Sequence, residues 1–354
     1  MVWNSQSCVT ENSTIFKQGK VQGRISNTTC AIFFCNTYSK WEWYCYVVII
    51  LCFLVLLLGI LGNAFTLLCY LYTVKSWTSS TIFLFNLALC DFTWILLVPF
   101  SVYYHLHKQA LYSTQVFCQF KRTFFDINIY GSIYFLTLIS FDRYVGAVHP
   151  IRSLKWWNKS KAVFCAVVIW FFILTESVPN FYYTFVVQRQ REAVACLDNF
   201  GEPLYFVVPF TIFRVLFGFL VPITVIFTCY TWTLKALRKM TTRQQRRHRI
   251  VKPLILVSAA MIVFAVAFIP YHVVITAALI YRMNDQLNSE NISLIFTIYK
   301  LTEIICSISS CLNPFIFMLA STKFQEKFKT IQWSHKCRFL CCQSHKVRDI
   351  ATEL

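Results

Sequence analysis

Residues 43–74 decide the fold class, because they read WYCYVVIILCFLVLLLGILGNAFTLLCYLYTV and contain no charged side chain. About 20 consecutive apolar residues are enough to cross the hydrocarbon core of a bilayer. Residues 253–281 form a second run without Asp, Glu, Lys or Arg. The whole chain is 57% hydrophobic and 14% charged, whereas soluble domains carry about 25% charged residues. These figures exclude a soluble globular protein and a disordered one, and they predict a membrane protein.

Five further apolar blocks contain at most two charged residues each. They are Ser76–His107, Thr123–Phe141, Ala162–Gln188, Pro203–Leu234 and Asn291–Thr322. With the first two runs they predict an all-α bundle of seven transmembrane helices over residues 43–322. Residues 1–42 form an N-terminal segment and residues 323–354 a tail, and no loop is long enough for a separate catalytic domain. No inverted internal repeat indicates a transporter.

The distribution of Lys and Arg predicts the orientation of the bundle. With the N-terminus outside, the outer segments hold nine of these residues and the inner segments hold twenty-one. Cytoplasmic loops are enriched in Lys and Arg, so we expect an extracellular N-terminus and a cytoplasmic C-terminus. The net charge of +18 is therefore explained by basic inner loops that contact anionic lipid head groups. No nucleic-acid partner is expected. The sequons at Asn12 and Asn27 lie outside and are candidate glycosylation sites.

The tail has the features of a segment attached to the membrane. Phe324, Phe328 and Ile331 fall on one stripe of a short amphipathic eighth helix. Three cysteines follow among basic residues and are candidates for S-palmitoylation, the alternative being ordinary reduced thiols. They are Cys337, Cys341 and Cys342. The final residues Thr352-Glu353-Leu354 match the pattern of a PDZ-domain ligand.

Two cysteines outside the apolar blocks indicate a disulfide at the outer mouth of the bundle. Cys118 lies at the outer start of the third block, and Cys196 lies in the second outer loop. Both face an oxidising compartment, where disulfides are stable. We expect them to pair and to hold the loop over an outer cavity.

Short motifs lie at characteristic places in successive blocks. In chain order they are Gly62-Asn63, Asn86 to Asp91, Asp142-Arg143-Tyr144, Trp170, Pro222, Phe264 to Pro270 and Asn313-Pro314. Each motif alone is weak, but seven helices carrying all of them in this order are specific. From about Trp41 to about Cys342 the chain resembles the rhodopsin-like G-protein-coupled receptors. The resemblance implies a plasma-membrane receptor rather than an enzyme. Its implied partners are a small extracellular ligand, a heterotrimeric G protein, arrestin and a receptor kinase.

The resemblance also implies roles for two polar groups. Asp142, Arg143 and Tyr144 form the activation motif, in which the aspartate holds the arginine at rest. Residues 248–252, at the inner end of the sixth predicted helix, contain no acid that could form an ion pair with Arg143. The absence of such a pair implies appreciable basal activity. The second group would surround a sodium ion and water, and it consists of Asn63, Asp91, Ser132 and Asn313. A protonated Asp91 held by hydrogen bonds is the alternative. No cofactor and no other metal are expected.

Within the family, the sequence is most similar to the metabotropic receptors for purine and pyrimidine nucleotides and their relatives for succinate, oxoglutarate and lipid mediators. Ser76–Ser80, Asn128–Thr137 and His149–Leu154 are among the segments that carry this likeness. Two departures count against a nucleotide: Ile275 stands where a basic residue is usual, and Glu303 where an arginine is often found. Ser307 stands where an opsin needs its retinal-binding lysine, so an opsin is nearly excluded.

Basic side chains in the outer halves of the helices predict an anionic, nucleotide-like ligand. The candidate binding residues are Arg122, Asp126, Arg214, His272, Lys300 and Glu303, with Lys121, Arg189 and Arg191 at the rim. Two acids at similar depth predict an Arg122–Glu303 or an Arg214–Asp126 contact in the ligand-free receptor. Such pairing disfavours a triphosphate and favours a nucleoside monophosphate or diphosphate, a dicarboxylate or a lysolipid. The remaining alternative is an orphan receptor with high basal activity.

Overall fold

The structure is a computed structural model that describes residues 42–73, 76–99, 111–182, 204–239, 244–284 and 289–320. Within these ranges the chain is helical, with no β-strand. We number seven long helices in chain order. They are α1 (Glu42–Thr73), α2 (Ser79–Ile95), α3 (Leu111–Val148), α4 (Lys159–Tyr182), α5 (Leu204–Phe213, continued by Arg214–Leu220 and Val221–Lys239), α6 (Gln244–Met283) and α7 (Ser289–Ala320).

Five of the described helices are long and apolar enough to cross a membrane. They are α1, α3, α4, α5 and α6. The shorter α2 is an apolar helix of 17 residues, and it begins at an N-cap in which the Thr78 side chain accepts from the Thr81 amide. The all-α architecture predicted from the sequence therefore agrees with the structure.

The helix α3 forms the centre of the bundle. It packs against α2, α4, α5 and α6, and 72% of its membrane-spanning window is buried, against 28% for α1 and for α4. Ile129, Ile133 and Phe135 on α3 are fully buried. On α4, by contrast, Phe164 and Phe171 are exposed, as expected for a helix that faces lipid tails. Side chains on α3 can therefore reach most of the other helices.

The fifth helix is not a regular α-helix, which the sequence analysis did not predict. Residues Arg214–Leu220 form a π-helical segment just before Pro222. Proline lacks the amide hydrogen that would continue the helical ladder, and π-segments commonly absorb such defects and occur at functional sites. Within the segment Gly218 lies against Tyr130 of α3, where an added Cβ would be 2.6 Å from Cε1 of the ring. The absence of a side chain lets α5 approach α3 closely at this point.

A short helix, Pro150–Trp156, follows α3 directly and leads into α4. The apolar block at residues 123–141 covers only part of α3, which runs from Leu111 to Val148. Several predicted features lie outside the described residues. They are the eighth helix, the N-terminal sequons, Arg189, Arg191, Cys196, the tail cysteines and the C-terminal Thr352-Glu353-Leu354.

Candidate functional site

A buried polar centre surrounds Asp91, which lies one turn before the end of α2. One carboxylate oxygen, Oδ1, accepts hydrogen bonds from Asn128 Nδ2 at 3.0 Å and from Ser132 Oγ at 3.4 Å. The other, Oδ2, accepts from Asn313 Nδ2 at 2.9 Å. Asp91 is fully buried, and its donors come from two other helices, α3 and α7. Such donors stabilise the ionised form of a buried acid.

Asn63 belongs to the same centre but does not touch the carboxylate. Its side chain donates to the backbone oxygens of Gly59 and Ser310, both at 3.1 Å. Among the described residues, the amide oxygens of Asn63 and Asn128 have no hydrogen-bond partner although they are buried. Carboxylate, hydroxyl and amide oxygens are the ligands that hard cations prefer. The oxygen atoms present at this centre therefore fit a sodium ion or a water.

The activation motif lies at the far end of α3. Asp142 accepts one hydrogen bond from Ser80 Oγ of α2 and another, at 2.8 Å, from Trp157 Nε1. Arg143 donates through Nη2 to the same Ser80 oxygen at 3.0 Å. The Tyr144 ring lies edge-on against His149, with 5.9 Å between ring centroids.

Asp142 and Arg143 are connected through Ser80. Within the described chain no ion pair joins the two side chains, and the Ser80 hydroxyl bridges them. The reason is geometric, because successive helical residues point about 100° apart and face different neighbours. The contacts of the Asp142 side chain therefore extend to Ser80 on α2 and to Trp157 beyond the short helix.

A cavity opens at the opposite, predicted outer end of the bundle. Its empty volume is about 900 Å³, part of which is open to solvent. Its lining contains polar and charged residues as well as apolar ones. The polar and charged members are Arg122, Asp126, Tyr130, Thr211, Arg214, Tyr271, His272, Arg282 and Tyr299. The lining includes three arginines and one carboxylate, so its net charge is positive.

One of the two expected ion pairs crosses this cavity. Arg214 Nη2 of α5 lies 2.7 Å from Asp126 Oδ2 of α3, and both side chains are less than 10% exposed. The guanidinium carbon also lies 4.3 Å from the Phe210 ring centroid and 5.2 Å from that of Tyr130. Buried arginines commonly combine carboxylate and aromatic contacts in this way. The pair ties α5 to α3 at the start of the π-helical segment.

The second ion pair differs from the expected one. Glu303 of α7 pairs with Lys121 Nζ at 2.6 Å, so the carboxylate partner is Lys121 rather than Arg122. Lys121 is buried instead of lying at the rim, and Glu303 is not among the residues that line the cavity. Helical periodicity explains the exchange. Lys121 shares a face with Asn128, toward α2 and α7, whereas Arg122 shares a face with Asp126, toward the cavity.

The histidine of α6 sits deep in the cavity wall. The His272 ring stacks on Phe219 of the π-helical segment, with centroids 4.1 Å apart and planes 13° apart. Its Nδ1 lies 2.8 Å from the backbone oxygen of Phe268. The other nitrogen, Nε2, is buried and has no hydrogen-bond partner among the described residues. Lys300 lies on α7, but its side chain is outside the described part.

The comparison with known families settles the class of protein. The sequence model of the family described as 7 transmembrane receptor (rhodopsin family) matches residues 62–317. The chain belongs to this family. It is accordingly a multi-pass membrane protein with a seven-helix bundle, as the sequence predicted.

Curated relatives place this rhodopsin-family receptor in a branch. The purinoceptor 1 of Gallus gallus is 31% identical over 282 residues, which cover 77% of this chain and 76% of the relative. The purinoceptor 1 of Rattus norvegicus is 30% identical over 281 residues, covering 77% and 74%. Lysophosphatidic acid receptor 6 of Gallus gallus is 28% identical over 282 residues, covering 79% and 91%. The predicted resemblance to the purinergic and lipid-receptor branch is confirmed.

Four residues of the receptor belong to these sites but were missed from the sequence. Asn128 precedes Ser132 by four residues on α3, so i, i+4 spacing could have placed it beside Asp91. Arg282 follows Ile275 by seven residues and lines the same cavity, which restores a positive charge to that face of α6. Ser80 and Trp157 could not have been found this way, because their contacts with Asp142 depend on how separate helices meet.

Proposed function

We propose that the chain is a cell-surface receptor that binds a small organic anion at its outer end and activates heterotrimeric G proteins at its inner end. The observation that carries the proposal is the position of two sites on one helix. Arg122 and Asp126 line the cavity near the start of α3, and Asp142 and Arg143 lie near its end. At 1.5 Å per residue the two sites are about 30 Å apart along a continuous helix.

The charge of the cavity supports an anion. Three arginines outnumber one carboxylate in the lining, and clustered positive charge in a low-dielectric cleft attracts anions. Arg214 is already paired with Asp126. The positive charge that remains in the cavity lining is therefore smaller than a triphosphate requires. A nucleoside monophosphate or diphosphate or a dicarboxylate suits this lining better. Two of the relatives named above are purinoceptors, which agrees with a nucleotide-like ligand.

A lysophospholipid is the second candidate, and a specific observation favours it. The cavity lining also has apolar members, which include Val207, Val215, Val274, Ile275, Ala278, Leu279 and Ile295. An acyl chain would bury against such side chains, with its phosphate held by arginine. The relative named lysophosphatidic acid receptor 6 supports this alternative.

A ligand screen combined with charge variants tests the proposal. The probes are AMP, ADP, succinate, oxoglutarate and an oleoyl lysophosphatidic acid, applied to cells that express the receptor with a promiscuous G protein. Arg122→Ala should weaken the active anion strongly, whereas Glu303→Ala should leave it equal or better, because Glu303 faces Lys121 outside the cavity. If Arg122→Ala has no effect and Asp126→Ala abolishes the response, the ligand is a cation and the proposal is wrong.

We extend the proposal to an ion and to cytosolic partners. A sodium ion would be held by the Asp91 carboxylate and Ser132 with the amide oxygens of Asn63 and Asn128. Asn313, the fourth residue of the predicted set, orients the carboxylate by donating to Oδ2. Asp91→Asn should then abolish any effect of Na⁺ on ligand affinity, while K⁺ serves as the control cation. Arrestin, a receptor kinase, acylation of the tail and a PDZ protein at Leu354 remain parts of the proposal that rest on the sequence. Deletion of Leu354 should abolish any PDZ binding.

A further inference from the structure

A buried acid on α4 has no role in the sites described above. Glu176 is 7% exposed, and within the described part of the chain neither carboxylate oxygen has a hydrogen-bond partner. Ionisable residues inside membrane helices are costly and usually functional. A buried carboxylate without a partner is among the most unfavourable groups that a fold can contain. A direct hydrogen bond from a cationic side chain would satisfy these two buried oxygens.

Aromatic contacts place Glu176 in the same layer as the Arg214 guanidinium. One helical turn from Glu176, Phe172 contacts Tyr134 of α3 and Phe213 of α5, with ring centroids 5.6 and 6.0 Å apart. Along α3, Tyr130 is one turn from Tyr134 in the same direction, since α3 and α4 run oppositely in the bundle. Tyr130 lies under the Arg214 guanidinium. Glu176, Tyr130 and Arg214 thus form the next layer above the three rings.

The guanidinium has capacity for a second carboxylate. Arg214 uses Nη2 for Asp126, but its Nε is buried and has no hydrogen-bond partner among the described residues. Glu176 interacts electrostatically with both members of the Arg214–Asp126 pair. A guanidinium has five N–H donors, so Arg214 retains donors for a second carboxylate besides Asp126. The π-helical segment that begins at Arg214 is the part of α5 best able to absorb a rotation of this side chain.

We propose that Glu176 is a positioning residue that provides a second ion-pair partner for Arg214. We call the Asp126 carboxylate the first seat of the guanidinium and the Glu176 carboxylate its second seat. In the ligand-free receptor Arg214 occupies the seat at Asp126 and ties α5 to α3. An anionic ligand that competes with Asp126 releases the guanidinium, and Glu176 then receives it and ties α5 to α4. This deepens the proposed function and rests on it for the anionic ligand. The rearrangement of α5 also moves Phe219, on which the His272 ring of α6 stacks.

Four variants test whether Asp126 and Glu176 act on the same Arg214 guanidinium. Asp126→Asn removes the first seat and should raise basal nucleotide exchange on the G protein roughly tenfold, within the range usual for coupled sites. Glu176→Gln removes the second seat and should lower the maximal response to an anionic agonist by a similar factor. In the double variant, Glu176→Gln should suppress the basal increase caused by Asp126→Asn. Glu176→Asp keeps the charge and should retain at least part of the response.

A matched control separates this role from general damage to α4. Ser177→Ala alters the adjacent buried residue, whose hydroxyl donates to the backbone of its own helix, at Ile173. It should leave basal exchange and maximal response unchanged at equal surface expression. If Glu176→Gln behaves like Ser177→Ala, or if the double variant keeps the full basal increase, the second seat does not exist.

A measurement without ligand or G protein keeps the inference separable from the proposed function. Hydrogen exchange on purified receptor in lipid nanodiscs reports the amides of residues 214–220 directly. Asp126→Asn should change their exchange rates at least about threefold, and the added Glu176→Gln should reverse the change, in line with a shift between two packings. If Glu176→Gln reverses the change in exchange rates but no anion activates the receptor, only the proposed class of ligand is wrong. The absence of a reversal would refute the role of Glu176 whatever the ligand is.

Discussion

The hydrogen bond from Trp157 to Asp142 offers a quantitative test of the resting state. Trp157→Phe removes the indole donor, which lies 2.8 Å from the carboxylate, but keeps an aromatic ring at the site. That ring packs against Phe141 and Phe83, with centroids 5.2 and 6.1 Å away. The substitution therefore isolates the hydrogen bond from most of the packing.

The size of the effect follows from the charge of the acceptor. A hydrogen bond to a charged group contributes roughly 1.5–3 kcal/mol, and a half-buried pair belongs near the lower end. If the bond exists only in the resting state, its loss shifts the ratio of active to resting receptor by about tenfold, since about 1.4 kcal/mol corresponds to a factor of ten. Asp142 would keep its contact with Ser80, so the shift should be partial.

Basal nucleotide exchange measures this shift directly. Receptor in lipid nanodiscs is mixed with a purified G protein in the absence of ligand, at matched receptor concentration. Trp156→Phe is the control, because Trp156 is half exposed and its ring lies near that of Trp157. Equal basal exchange in wild type and Trp157→Phe, with a normal melting temperature, would refute the role of this bond.

Three other substitutions probe separate parts of the receptor. Arg143→Ala should abolish ligand-stimulated exchange at unchanged surface level, and persistent signalling would contradict the activation role. Gly218→Ala should destabilise the fold by about 1–3 kcal/mol, because the new Cβ would lie 2.6 Å from Tyr130 Cε1; an unaltered melting temperature would show that the ring can move. Cys118→Ser should reduce surface expression, since a native disulfide contributes roughly 2–5 kcal/mol. Peptide mapping that recovers Cys118 and Cys196 as thiols would end that idea.

The sequence predicts those features of the bundle that depend on composition and on single helices. Seven apolar blocks identify the helices because a bilayer requires long uncharged runs. Asp91 stands out because a carboxylate inside such a run needs compensation. The pairing of Arg214 with Asp126 was foreseen for the same reason, and the structure contains it.

Features that depend on helix rotation and contact were not predictable in this way. Lys121 and Arg122 are adjacent in sequence, and only the rotation of α3 decides which of them meets Glu303. The π-helical segment includes Gly218, and its close approach to Tyr130 of α3 cannot be read from the spacing of apolar residues along α5. Glu176 was overlooked because an apolar block was allowed up to two charged residues. The sequence of such a block does not show which side chains on other helices lie beside the charge.

The two faces of α3 explain how events in the cavity can reach the inner end. One face carries Arg122 and Asp126 toward α5 and α6, and the other carries Asn128 toward Asp91 and α7. The helix α3 is continuous from Leu111 to Val148 and contains no proline, so no proline kink separates these contacts. Gly131 keeps it in close contact with α2, where an added Cβ would lie 2.5 Å from Cys90 Sγ. A change at the Arg214–Asp126 pair that rotates α3 must therefore also disturb the donors to Asp91, and packed interfaces resolve such strain by switching between discrete arrangements.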